Sequence, residues 1–86
     1  MRSARFNLDI VITQHAQLRM TERGISKEEI LELIESGEIK HKDATHLWIY
    51  KNFQNRSDNM ICAASVIENA LIIKTIMHHF SPKNED

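Results

Sequence analysis

Glycine is scarce in this sequence: two occur in 86 residues, Gly24 and Gly37, and neither belongs to a glycine-rich phosphate loop, so no nucleotide cofactor is expected. The same scarcity leaves no Gly/Ser linker at which the chain could divide. Cysteine is rarer still. Cys62 is the only one, which excludes an internal disulfide, and its place in the apolar run MICAASVI marks it as a small buried thiol with no catalytic role. No apolar run reaches the roughly 18 residues of a membrane-spanning helix, and the N-terminus lacks a signal peptide's apolar stretch. A cytoplasmic location without a membrane partner is the expectation. An excess of basic charge is also missing: the net charge of −1 is not that of an overtly basic nucleic-acid binder.

What remains is an ordinary globular composition, 42% hydrophobic and 27% charged, in a chain long enough for one core. The reading divides it into an N-terminal segment (1–11), a single α+β domain (12–80) and a polar tail (81–86). Charge is unevenly spread. From Glu22 to Glu38 six acids face two bases, which leaves −4 in that stretch and +3 for everything else. A basic face could then meet a phosphate backbone while an acidic helix faces solvent or a basic partner.

Both glycines stand where helices should end. Thr13 is the expected N-cap of a helix through QHAQLRMTER that stops at Gly24. Ser26 and Glu29 form a capping box for a second helix, with Ile25 and Ile30 as its hydrophobic staple, and Gly37 closes it. Ile30, Leu31, Leu33 and Ile34 stripe one side of that helix. Beyond Gly37 the pattern alternates, predicting strands near 39–43, 45–53, 60–67 and 71–79. The expected fold is therefore α+β, two short N-terminal helices packed on one face of a mostly antiparallel sheet of three to four strands.

Hairpin turns at 54–59 and at Asn69–Ala70 would oppose Tyr50 to Ala63, Trp48 to Ser65, Ala64 to Thr75 and Ser65 to Lys74. That register gives a core face of Leu47, Ile49, Phe53, Met60, Cys62, Ala64, Val66, Leu71, Ile73 and Met77, interrupted by Lys51, Thr75 and His79. The open face would carry His46, Trp48, Tyr50, Ser65, Lys74 and His78 among Ile61, Ala63, Ile67, Ile72 and Ile76.

Two groups of residues could carry chemistry. On the first helix His15, Arg19 and Arg23 recur every four residues, aligning an imidazole and two guanidinium groups that could hold a phosphate, or that could equally pair with acids and pack. On the open face Trp48 and Tyr50 could stack on bases, Lys74 could hold a phosphate, and His46 or His78 could exchange a proton; packing is the competing role of the two aromatics. Five histidines, His15, His41, His46, His78 and His79, show no spacing of a structural zinc site, so no metal is expected.

The run HAQLRMTERGISKEEILELIESGEI and the strand-rich half after it resemble the bacterial domain-of-unknown-function family 4258 over about residues 12 to 80, through His15, Ala16, Arg19, Met20, Arg23, Gly24, Ile25 and Ser26. Families of this kind look like RelE/ParE-type toxins and related small ribonucleases. The resemblance implies a toxin-like ribonuclease domain, often encoded beside an antitoxin. Three function classes follow. One is a metal-independent endoribonuclease with His15 and His78 as the catalytic pair and Arg19, Arg23, Trp48, Tyr50 and Lys74 holding RNA. The second is a non-catalytic module binding nucleic acid or a protein such as a cognate antitoxin. The third is a homodimer that buries the isoleucines of the open face.

Overall fold

The computed structural model describes residues 1–53 and 60–78. Along the chain run β1 (Arg2–Ser3), β2 (Leu8–Ile12), α1 (Gln14–Arg23), α2 (Lys27–Ser36), β3 (Glu38–His41), β4 (His46–Asn52), β5 (Met60–Ile67) and β6 (Leu71–His78).

Both helices start and stop as their caps dictate. Thr13 has extended backbone and its hydroxyl accepts the Ala16 amide at 3.1 Å; Gly24, at φ 63°, takes the left-handed turn that lets its own and the next amide close on Met20 and Thr21 carbonyls. The capping box of α2 is present in both halves, with Ser26 and Glu29 exchanging hydrogen bonds of 2.9 and 3.1 Å. Gly37 ends α2 for a different reason. Its backbone is extended, and a Cβ there would sit 2.5 Å from the Leu33 carbonyl oxygen and 2.8 Å from that of Tyr50.

The sheet differs from the expected one. It has six strands in the order β1-β2-β6-β5-β4-β3, and it is mixed, because β2 lies parallel to β6 with Ile10 opposite Leu71 and Ile12 opposite Ile73. The expected three to four antiparallel strands account only for β3 to β6. The segment 1–11 holds the rest: β1 pairs antiparallel with β2, which in turn completes the sheet beside β6. This hairpin is fastened to α2. Glu35 accepts the Ser3 hydroxyl and the Ala4 and Arg5 amides, while the Arg5 guanidinium donates to the Ile34 and Gly37 carbonyls at the helix C-terminus.

Register explains a second correction. Tyr50 opposes Cys62 and Trp48 opposes Ala64, one residue off the expected pairing; β4 ends at Asn52 and Phe53 is buried in the core. Between β5 and β6 the pair Ala64–Thr75 forms as expected, but Lys74 is then skipped and Ser65 opposes Ile73. Such a bulge inverts the alternation on one side of itself. Ile61, Ala63 and Ile76 therefore face the helices in the core, whereas Cys62 and Val66 are buried outside the core cluster, on the other face. Leu47, Ile49, Leu71 and Ile73 are core residues as expected. His79 lies outside the described residues.

α1 packs on β6 and α2 on β4 and β5, so the helices share one face of the sheet. Ile30, Leu33 and Ile34 of α2 are wholly buried there, each worth roughly 1.5–3 kcal/mol against exposure. Lys51 also points to this side. Its ammonium reaches the Ser36 hydroxyl at 3.0 Å and Glu32 at 3.8 Å, which resolves a charge that interrupts the core pattern.

Candidate nucleic-acid interface

Strand β4 puts Leu47 and Ile49 into the core, so the alternate residues Trp48 and Tyr50 stand on the helix-free face, both half-buried. Across the β3–β4 ladder Lys40 opposes Trp48, and its ammonium sits 5.8 Å from the ring centroid. On the other flank Trp48 opposes Ala64.

The Lys74 bulge supplies the next group. Lys74 is exposed and lines, together with Lys42, His46, Trp48 and Glu68, a pocket of about 420 Å³ floored by Ala64 and Val66. That volume lies in the range of small-molecule sites, roughly 300–1,000 Å³. Among the described residues Lys42, Lys74 and Glu68 make no ion pair.

The β3–β4 turn orients the imidazole. Asp43 Oδ1 accepts the His46 and Thr45 amides at 2.9 and 3.0 Å and lies 3.0 Å from His46 Nδ1. Those amide hydrogen bonds, with that of the His46 side chain behind them, hold the Asp43 carboxyl well below the usual carboxylate range. An ionised carboxylate only accepts, so Nδ1 carries the proton toward Asp43 and Nε2 is the basic nitrogen of the ring.

Of the residues singled out in the sequence, this face gathers His46, Trp48, Tyr50 and Lys74. It does not gather the α1 group. Ala16 and Met20 bury α1 against the core on the opposite face, with His15 exposed in its first turn and Arg19 bonded to Glu22 at 2.8 Å. Arg23 is half-buried at the end of the same helix. The backbone of His78 pairs with Ile61, whereas His46 pairs with Val66. At about 3.3 Å per residue along a strand and 4.8 Å between strands, those two backbones are roughly 19 Å apart. Two of the isoleucines on which a dimer face was expected, Ile61 and Ile76, are core residues. Sequence reasoning missed Lys40, Lys42, Asp43 and Glu68. The Asp-x-x-His spacing in KHKDATH was the available signal, since an aspartate at a turn's start commonly takes the amides two and three residues on.

A second cavity of about 410 Å³ lies between β2 and α1, lined by Ile10, Ile12, Met20 and Ile25, with Lys27 as the one ionisable side chain among the described residues that line it. No three His, Cys, Asp or Glu side chains among the described residues converge as a metal site would require, and no helix among them is long and apolar enough to cross a membrane.

No curated protein and no solved structure matches the chain. The model of the family described as "Domain of unknown function (DUF4258)" matches residues 12–78, from the end of β2 through β6 and with the whole pocket inside it. The chain belongs to that family.

Proposed function

We propose that this chain is a toxin-like, metal-independent endoribonuclease that takes single-stranded RNA on the helix-free face of its sheet. The observation that carries the reading is one pocket in which an Asp43-oriented His46, the Lys74 ammonium and the Trp48 ring stand together. Bases have aromatic platforms in Trp48 and Tyr50, and phosphates have Lys40, Lys42 and Lys74 within the same surface.

Cleavage would proceed by attack of a ribose 2′-oxygen on the adjacent phosphorus. His46 Nε2 takes the 2′-hydroxyl proton, the bond from phosphorus to the 5′-oxygen breaks, and the Lys74 ammonium stabilises the developing charge and donates a proton to the leaving oxygen; proton exchange with solvent then restores both side chains. The products are a 2′,3′-cyclic phosphate and a 5′-hydroxyl end. His15 and His78 take no part, the one being on the helical face and the other too far along the sheet. Binding without cleavage is the second reading, favoured by the presence of one histidine rather than two among the described residues lining the pocket.

Incubation of mixed-sequence RNA with the protein in excess chelator tests this. Cleavage that leaves cyclic phosphate ends and disappears in folded His46→Ala, but persists in His15→Ala, supports the enzyme. Intact RNA that nevertheless binds, with affinity falling in Lys74→Ala, leaves the binding module.

A further inference from the structure

The pocket contains a group that a phosphate site would exclude. Glu68 lies in the β5–β6 turn, its amide bonded to the Ala70 carbonyl at 2.9 Å, and its side chain lines the pocket that Lys42 and Lys74 also line. A carboxylate repels phosphate and accepts hydrogen bonds without donating any. Trp48 lines the same pocket and offers an aromatic face, and Ala64 and Val66 between them form an apolar floor. An aromatic face, an apolar floor and one carboxylate at the rim suit a flat heterocycle that presents two adjacent donors at its edge.

Among the RNA bases only guanine does so. Its ring N1–H and exocyclic N2 amino group point the same way and match the two oxygens of a carboxylate. Adenine and cytosine set an amino group beside a bare ring nitrogen, whose lone pair would face the second carboxylate oxygen, and uracil sets its ring N–H between two carbonyls. Lys74 and Lys42 are then left for the phosphate attached to that guanosine.

We infer that this pocket is a guanine subsite, in which Glu68 holds the Watson–Crick edge, Trp48 stacks on the base and Lys74 takes the adjoining phosphate. The assignment rests on the helix-free face being the RNA-binding surface proposed above. Its ligand chemistry is a guanine nucleotide, either free or within single-stranded RNA.

Trp48 is the sole tryptophan of the chain, so its fluorescence reports occupancy directly. Titrations with GMP, AMP, CMP and UMP, and with single-stranded oligoribonucleotides that contain or lack guanine, separate the cases. Guanine ligands should bind about tenfold more tightly than their counterparts or better, the discrimination of one bidentate contact. In Glu68→Gln that preference should vanish while affinity for all phosphates holds or rises, because a negative charge has been removed beside them; Glu68 is exposed, so the variant keeps the fold. Preference for GMP alone, without RNA binding, would assign the pocket to a free nucleotide and overturn the RNA reading. Equal affinity for all four bases would overturn the guanine subsite and leave RNA binding intact. No quenching by any nucleotide or oligomer would overturn both.

Discussion

The Thr13 hydroxyl donates to the Lys74 carbonyl at 3.1 Å while accepting the Ala16 amide, so the cap of α1 and the bulge of β6 depend on one side chain. The Thr13 amide adds a bond to the Ile73 carbonyl at 3.1 Å. A residue on the helical side thereby fixes the strand irregularity that sets Lys74 on the other side.

Thr13→Val should therefore do two things. Loss of the cap should cost about 0.5–2 kcal/mol in denaturant unfolding. RNA affinity should also fall, because the Lys74 carbonyl loses its partner, whereas Thr13→Ser should keep both properties. A Val variant that is destabilised but binds RNA with unchanged affinity would show that the bulge holds without Thr13.

The N-terminal hairpin should loosen in acid. Hydrogen bonds from Ser3 and from the Arg5 and Ala4 amides, with the Arg5 charge, outweigh desolvation and pull the Glu35 carboxyl below its ordinary value of 4.5. A depressed folded-state pKa contributes stability that is present above the ordinary value and is lost as pH falls through the lowered one. Thermal stability of the wild type should fall below pH 4.5. Glu35→Gln should cost on the order of 1 kcal/mol at neutral pH after allowance for solvent screening, and its acid decline should be shallower. Amide exchange in β1 and β2 should rise first.

The two glycines should respond differently to alanine. At Gly37 the new methyl group would meet two carbonyl oxygens of fixed backbone, and a loss of about 1–3 kcal/mol is expected. Gly24 has open space around it but a φ of +63°, so only local strain of roughly 1–2 kcal/mol is expected there. Chemical denaturation of both variants checks the order.

These elements also show how far the sequence could be read. Helix ends are local matters: Thr13, Ser26, Glu29 and Gly24 act within one turn, and each did what its chemistry demands. The sheet is not local. Leu8, Ile10 and Ile12 alternate as a strand should, but the parallel partner β6 lies some 60 residues on, and no hairpin turn announces the pairing. The skipped position at Lys74 leaves no residue signature and inverts β6 beyond it, while the one-residue slip against β4 inverts β5. The polar and aromatic set on β4 survived because Leu47 and Ile49 anchor that strand whatever its neighbours do. Nothing in the spacing of His15 and His78 tells which side of the sheet, or which end, they occupy.

Salt should separate the lysines from the aromatics. Lys74→Ala should weaken RNA binding and lower the slope of log affinity against log salt by about 0.7, the value for one single-strand phosphate contact. Trp48→Ala should cost about 1–3 kcal/mol of stacking and leave that slope unchanged. Filter binding across a range of salt concentrations distinguishes the two effects.

The most direct test of the account is where RNA touches the protein. Amide and indole NMR shifts followed during titration with a short single-stranded RNA should move at Lys40, His46, Trp48, Tyr50 and Lys74 and stay fixed along α1. Shifts concentrated on His15, Arg19 and Arg23, with the Trp48 indole unmoved, would contradict it.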